Sequence, residues 1–285
     1  SLTVTAEELG LRIFPKAQVY SGPLVSCHIG SDVAADMLAI GFDESETPIM
    51  LVDVGTNTEV IVGNKGKMFA ASCPAGPAFE GGEVKYGMPG YEGAVESVKI
   101  RDGKPEICTI GNAPVEGICG SGLVDLLAEL KKSGIMNELG VLKDQENRYY
   151  FSPNDDMALD RSDISALAQA KAANYCGQYI AIRTSDHSAD DISTLYLAGG
   201  FANYIDAENA KAIGFIANFD SGKIVKAGNA SLHGATLMLV SKALREKIET
   251  LVKKVNHIEL ETTPDFFDIF VEGCMFKPMP TKIHN

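Results

Sequence analysis

One polar turn between two apolar runs constrains the fold of this chain more than any other stretch. Residues 49–62 read IMLVDVGTNTEVIV, and Asp53 stands near the end of the first run. The turn consists of Gly55, Thr56 and Asn57. Glycine lets a backbone turn sharply and approach a ligand closely, and exposed amides in such a turn form a concavity that binds anions. The pattern predicts a strand, a tight turn and a second strand, with the turn able to bind phosphate.

Asp53 is the candidate catalytic residue of this turn. Its carboxylate repels phosphate but can hold a Mg²⁺ ion, usually through water, and that ion would sit on the phosphates of a nucleotide. An ordinary hairpin turn with an aspartate that caps the backbone explains the same residues, because so short a string often occurs by chance. On these residues alone both interpretations stay open.

Acidic residues outnumber basic ones, which limits the partners of the chain. The formal net charge is −13 and the pI is about 4.8. This balance argues against nucleic acid and anionic membrane surfaces as partners. No apolar run is long enough to mark a membrane span, and the first residues lack the order of a signal peptide. We therefore expect a cytoplasmic protein, and the missing initiator Met predicts a piece of a longer polypeptide.

The six cysteines show no spacing typical of a metal site or a disulfide framework. None form a CxxC pair, so neither zinc nor an iron–sulfur cluster is predicted within this chain. Most lie in apolar surroundings, which predicts reduced and buried thiols. They stand at positions 27, 73, 108, 119, 176 and 274.

Hydrophobic periodicity predicts alternating helices and strands around the central turn. The first helix covers 31–40, between Ser31 as its N-cap and Gly41 after its end. Three apolar strands joined by tight turns follow over 49–72, which predicts an antiparallel meander. Ser162 is the expected N-cap of the helix over 162–183. The remaining predicted elements are a hairpin, four helices and three strands, over 95–110, 123–132, 162–183, 206–213, 228–255, 18–25, 194–197 and 257–261.

Two further turns rich in small residues are candidate ligand sites. In the segment CPAGPAFEGG, the backbone at Gly76 can approach a nucleotide and Glu80 is available to a ribose hydroxyl. The turn Gly-Ser-Gly, centred on Ser121, precedes a helix, where free amides and the helix dipole favour an anion. A plain strand-to-helix turn and a simple helix cap explain these two segments as well.

The order of these segments resembles the second half of an actin-like ATPase, from the superfamily of sugar kinases, acetate kinases and Hsp70. In that superfamily, two ribonuclease-H-like domains clamp ATP between two phosphate loops and an adenosine loop. The resemblance implies an α/β fold whose mixed sheet contains an antiparallel meander flanked by helices. It implies that the turn after Asp53 is the second phosphate loop, with Mg²⁺ held by Asp53 through water. The adenosine loop would be LAGGF, with Gly199, Gly200 and Phe201 binding ATP.

The same resemblance divides the chain into three parts. Residues 1–44 would be the last strand and helix of the first actin-like domain, and 45–256 the second, nucleotide-binding domain. Residues 257–285 would be a C-terminal strand and an aromatic tail. No second phosphate-loop string precedes Asp53, so we expect one wall of an ATP cleft in this chain.

Six segments together resemble the C-terminal region of the reductive activators of corrinoid proteins. The resemblance implies the nucleotide-binding part of an ATP-dependent activator that returns a Co(II) corrinoid to Co(I). Its partner would be a corrinoid protein or a corrinoid-dependent methyltransferase, with a homodimer as a further assembly, and an iron–sulfur cluster outside this chain would supply electrons. Ser121 would approach the cobalt face of the partner's corrinoid. The segments are DVGTNTEVIVGN, ASCPAGPAFEGGEVKYGM, EGICGSGLVDLLAELKKSGI, LAGGFANYIDAENAKAIGF, KAGNASLHGA and ELETTPDFFDIFVEGCMF.

Two other functions stay open. A small-molecule kinase of the same superfamily would place Asp53 near a transferred phosphoryl group and needs a substrate pocket with a general base. A non-catalytic module for partner docking or dimerisation would keep the fold alone. On the favoured interpretation the chain by itself is inactive, because the groups around the γ-phosphate come from both domains.

Overall fold

A mixed six-stranded sheet carries the central turn. The structure is a computed structural model that describes residues 1–143, 147–152, 154, 156–200 and 202–283. Within these residues the strands are β1 (Leu2–Thr5), β2 (Gln18–Ser21), β3 (Ile49–Val54), β4 (Thr58–Gly63), β5 (Met68–Cys73), β6 (Ala94–Arg101), β7 (Lys104–Thr109), β8 (Gly117–Ile118), β9 (Arg148–Tyr150), β10 (Ala158–Asp160), β11 (Thr194–Ala198), β12 (Ile224–Gly228) and β13 (Val255–His257). The α-helices are α1 (Ser31–Ala39), α2 (Gly120–Lys132), α3 (Arg161–Thr184), α4 (Ala207–Ala212), α5 (Ala230–Val240), α6 (Lys242–Leu251) and α7 (Phe266–Gly273).

The order of strands across the large sheet is β12-β11-β3-β4-β5-β13. β3, β4 and β5 are antiparallel neighbours, which confirms the predicted meander. β11 lies parallel to β3, and β12 lies parallel to β11. Because parallel neighbours end at the same edge, the loops after β3 and β11 lie side by side.

Helices cover both faces of this sheet, so that β3 is buried on either side. Successive side chains of a strand point to opposite faces. Met50 and Val52 pack into the core that contains α2 and α3. Ile49 and Leu51 pack into a second core with α1, α5 and α6. By the same alternation, Asp53 faces α1.

A second sheet, in the order β7-β6-β8, packs against α2. β6 and β7 form the hairpin predicted over 95–110. The apolar stripe of α2 consists of four leucines, and all four are fully buried in the core. Its members are Leu123, Leu126, Leu127 and Leu130. None of the helices described in the structure is both long and apolar enough to cross a membrane.

Lys171 fixes the C-terminal segment to α3. Its ammonium group is buried and donates hydrogen bonds to the carbonyl oxygens of Gly273 and, at 2.9 Å, Met275. Burial lowers the pKa of Lys171 to about 7. The last carbonyl groups of a helix have no partner within the helix, and a cation beside them is favourable. Lys171 therefore holds the end of α7 against α3.

Two helix ends differ from the prediction because another side chain captures the free amides. The N-cap of α3 is Asp160, whose carboxylate accepts hydrogen bonds from the amides of Ser162 and Asp163. Ser162 was the wrong choice, since its hydroxyl donates to Asp160 instead. The helix predicted over 228–255 is divided at Ser241, whose hydroxyl accepts from the amide of Leu244 and starts α6.

Other predictions need smaller corrections. α1 begins at Ser31, but its N-cap is Gly30 and no side chain caps it. The last strand ends at His257, where it was predicted to begin, because residues 255–257 are the ones that pair with β5. Cys27 and Cys108 are exposed, in contrast to the buried thiols predicted for the set.

We expect Gly234→Ala to destabilise the protein, although alanine normally favours a helix over glycine. α5 crosses α1 so closely that a Cβ atom at Gly234 would overlap the carbonyl oxygen of Ala35. Forcing the helices apart should cost about 1–3 kcal/mol, measured by urea unfolding. The control Ala235→Ser, at the exposed next position, should change the free energy of unfolding by less than about 0.5 kcal/mol. A more stable Gly234→Ala protein would contradict the close crossing.

Candidate functional site

Loops from four separate segments converge on one cleft at the ends of β3 and β11. The cleft has a volume of about 650 Å³. Four of the residues predicted from the sequence line it, namely Gly55, Glu80, Ser121 and Gly200. Sequence reasoning assigned them to different turns, and the structure brings them to one place.

The turn after β3 is held in shape by the segment that follows β5. The amide of Gly55 donates to the carbonyl oxygen of Asn57 at 3.2 Å, which closes the turn. The carbonyl oxygen of Thr56 accepts from the amide of Gly76 at 2.8 Å. The hydroxyl of Thr56 donates to a carboxylate oxygen of Glu80 at 2.7 Å. Thr56, Gly76 and Glu80 therefore meet as one unit, and Glu80 is already engaged with a protein hydroxyl.

The two glycines of the predicted adenosine loop have different tasks. Gly199 has a φ of +107°, and a Cβ atom there would overlap the carbonyl oxygen of Val54. Apart from its two chain neighbours, no described residue has an atom within 4 Å of the position that a Cβ at Gly200 would take. Gly199 thus lets β11 approach β3, whereas Gly200 leaves open space in the cleft. Phe201, the third predicted residue of this loop, lies outside the described residues.

Ser121 is buried in the wall of the cleft, with 2% of its surface exposed. Its hydroxyl oxygen lies 3.4 Å from the sulfur of Cys119. The N-cap of α2 is Cys119, and no side chain caps the helix, so the simple capping role for Ser121 is wrong. Its predicted approach to a corrinoid stays a prediction.

Asp53 does not line this cleft, because its side chain points to the other face of the sheet, toward α1. It is surrounded there by three further carboxyl groups, those of Asp32, Asp36 and Glu59. Burial, and to a smaller extent the charge of Asp32, raises the pKa of Asp53. Burial also raises the pKa of Glu59 to about 7, although Ser72 donates to its carboxylate at 3.0 Å.

Asp36 is the most unusual member of this acidic group. It is fully buried on α1, and no donor group among the described residues reaches either of its carboxylate oxygens. Its hydrogen-bond partner is the neighbouring carboxyl group of Asp53, which requires a proton on one of the two. Burial, followed by the neighbouring Asp53, raises its pKa strongly. Sequence reasoning missed Asp36, although it interrupts the apolar face of the predicted helix at the position between Val33 and Met37.

The acidic group fits a hydrated Mg²⁺ ion better than a directly bound metal. Among the described residues, no three His, Cys, Asp or Glu side chains are placed to hold a metal ion together. Magnesium keeps several of its waters and is usually bound by one or two carboxylates together with substrate phosphates. Asp53 is the candidate that would hold such an ion through water, with the buried Asp36 behind it.

Comparison with known proteins identifies relatives along nearly the whole chain. Residues 47–284 match the family described as the C-terminal domain of RACo, the ASKHA domain. The corrinoid activation enzyme RamQ of Eubacterium limosum is 31% identical over 97% of this chain and 50% of that protein. The [Co(II) methylated amine-specific corrinoid protein] reductase of Methanosarcina barkeri is 24% identical over 93% of this chain and 53% of that protein.

A solved structure shares the same fold. The reductive activator for corrinoid,iron-sulfur protein matches with a TM-score of 0.89 and 33% identity, over 99% of this chain and 48% of that chain. This match confirms the predicted actin-like α/β fold. The chain spans about half the length of the curated relatives it matches.

We expect Asp36→Asn to stabilise the protein, and to do so increasingly as the pH rises. Because the folded state raises the pKa of Asp36, it retains a proton that the unfolded chain releases, so wild-type stability falls above the ordinary aspartate range. Asparagine has no proton to lose. The difference in free energy of unfolding should therefore grow by up to about 1.4 kcal/mol per pH unit between about pH 6 and pH 8.

Urea unfolding at several pH values measures this difference. The control Glu246→Gln replaces an exposed carboxylate of α6 and should give a small difference that does not change with pH. A difference for Asp36→Asn that is equally flat would show that Asp36 is not held protonated in the folded state.

Proposed function

The chain belongs to the family of the C-terminal ASKHA domain of RACo, and we propose that it binds Mg-ATP as the nucleotide-binding part of a reductive activator of corrinoid proteins. The convergence of Gly55, Glu80, Ser121 and Gly200 on one cleft carries this proposal. These residues were predicted from separate motifs, and a shared ligand is the simplest reason for their meeting.

The composition of the cleft suits a nucleoside. Apolar side chains in its wall, among them Phe79, Met88 and Ile110, offer a surface for a flat base, as is usual for small-molecule pockets. The open space at Gly200 admits the ligand close to the backbone. The turn at Gly55 lies at the same cleft, and its amides would receive the phosphates.

Mg²⁺ would neutralise charge on the phosphates and align them for hydrolysis. Asp53 would hold this ion through water from the face below the turn. The hydrogen bonds from Thr56 to Glu80 and from Gly76 to Thr56 would keep the phosphate turn rigid. A rigid turn positions the phosphates without reorganisation during the reaction.

The names of the relatives support a corrinoid protein as the partner. One relative is named a corrinoid activation enzyme and another a reductase of a Co(II) corrinoid protein. We propose by similarity that ATP turnover in this cleft promotes the one-electron reduction of Co(II) to Co(I) on a corrinoid protein or methyltransferase. An iron–sulfur donor outside these residues would supply the electron.

The proposed coupling has a clear physical basis. A ligand shifts a conformational equilibrium only by its difference in affinity for the two states. In this coupling, the closed, ATP-bound cleft binds the Co(II) partner more tightly than the open cleft does. Hydrolysis of ATP then returns the cleft to its open state, and the next ATP closes it again. Loop and domain closure around a nucleotide commonly provides such a switch.

We expect Gly200→Val to weaken Mg-ATP binding at least about ten-fold, because the added methyl groups enter the cleft. Calorimetric titration of the protein encoded by the complete reading frame that contains these residues measures the affinity for Mg-ATP. The control Gly222→Val adds the same groups at a glycine outside the cleft, where the nearest atom, Asp220 Oδ1, lies 3.7 Å from the position that a Cβ would take, and should bind normally. Equal affinity of Gly200→Val and wild type would rule out this loop as part of the nucleotide site.

We expect that a Co(II) corrinoid protein does not stimulate phosphate release by these 285 residues alone. Phosphoryl transfer depends on groups that surround the γ-phosphate, and an open, solvated site weakens every charge contact. The assay compares the chain with a relative of twice its length. Partner-stimulated turnover by the chain alone would contradict the assignment of Asp53 to a second phosphate loop, and transfer to a small molecule would favour the kinase.

A further inference from the structure

We infer that Glu96 recognises the ribose of the bound nucleotide, by accepting hydrogen bonds from its 2′- and 3′-hydroxyl groups. The inference rests on the proposed nucleotide binding and names a specificity-determining residue within the same cleft. Glu96 lines that cleft together with Gly55, Ser121 and Gly200. It lies on β6, an element to which sequence reasoning assigned no part of the site.

Glu96 is displaced from the regular pairing of its strand. Val95 pairs with Thr109, and Ser97 pairs with Cys108, so Glu96 is an extra residue between two successive pairs. An extra residue of this kind is a β-bulge, which re-aims a side chain and often occurs beside active sites. The bulge explains how a carboxylate of β6 reaches the cleft.

Glu96 is also the carboxylate of this cleft that can accept hydrogen bonds from a ligand. Among the described residues, two carboxylates line the cleft, Glu96 and Glu80, and Glu80 accepts a hydrogen bond of 2.7 Å from Thr56. Within the part of the chain that the structure describes, the side chain of Glu96 makes no hydrogen bond or ion pair. A half-buried carboxylate without a partner gains from any ligand that donates hydrogen bonds to it.

The start of α2 lies beside this carboxylate. The amide of Cys119 donates to the carbonyl oxygen of Val95 at 3.1 Å, one residue before Glu96. Ser121 follows in the first turn of the helix and lines the same cleft. The carboxylate and a buried hydroxyl therefore form one polar corner in a wall that is otherwise largely apolar.

The chemistry of this corner selects the ribose among the parts of ATP. An ionised carboxylate only accepts hydrogen bonds, and its two oxygens can take two donors. It repels the phosphates, which must lie toward the turn at Gly55. The ribose, joined directly to the phosphates, offers two adjacent hydroxyl donors, whereas the 6-amino group of adenine is a single donating nitrogen. One carboxylate can satisfy both ribose hydroxyls together.

The test compares the affinities of ATP, 2′-deoxy-ATP and inosine triphosphate. They are measured by calorimetric titration of the protein encoded by the complete reading frame. Wild type should bind ATP about ten-fold more tightly than 2′-deoxy-ATP. In Glu96→Gln, which keeps the size of the side chain, ATP should bind about ten-fold more weakly. 2′-Deoxy-ATP keeps only the 3′-hydroxyl bond and should weaken less, so the preference for ATP over 2′-deoxy-ATP should shrink. The preference for ATP over inosine triphosphate should be the same in both proteins.

The control Glu106→Gln makes the same change at an exposed position of β7, outside the cleft, and should keep the wild-type preference. A ribose preference that persists in Glu96→Gln would overturn the inference. So would a variant that loses only the preference for ATP over inosine triphosphate, because Glu96 would then contact the base. No binding of ATP by wild type would overturn the proposed function as well, and unchanged urea unfolding of the variant excludes misfolding as the cause.

Discussion

The close backbone contact between the ends of β3 and β11 is the constraint on which the candidate cleft depends. Gly199 leaves β11 with a left-handed backbone and lies against the carbonyl oxygen of Val54, where a side chain would overlap it. Only glycine satisfies both conditions at little cost. The contact brings Gly200 to the turn at Gly55, and the remaining walls from Glu80 and Ser121 then complete the cavity.

The opposite face of the same strand end carries a cost in stability. Asp36 is buried beside Asp53 with no other donor group within reach, so folding must keep a proton between the two carboxyl groups or bury an unpaired charge. Groups of this kind are expected where function limits stability. In the proposed function, the acidic group beneath the phosphate turn attracts and orients a hydrated cation. On this proposal, one face of the strand end would serve the nucleotide and the other the metal ion.

Much of the fold could be predicted because its signals are local. Apolar periodicity located β3, β4 and β5 and the leucine face of α2, since burial of a face requires a repeat that the sequence shows directly. Helix ends were harder to predict, because neighbouring side chains compete for the same free amides. Asp160, rather than Ser162, is the N-cap of α3. Ser241 caps a new helix, α6, inside a continuous helical pattern.

The sequence by itself determined the residue types of the site: a glycine-rich turn after an apolar strand, a second double-glycine turn, and a Gly-Ser-Gly segment at the start of α2. Tertiary structure decided which of them share a cavity and which atoms remain free. It placed Asp53 below the sheet and the Gly55 turn above it, joined Glu80 to Thr56, and turned Glu96 inward through a bulge. These outcomes depend on contacts between distant segments, whose register and direction no local pattern encodes.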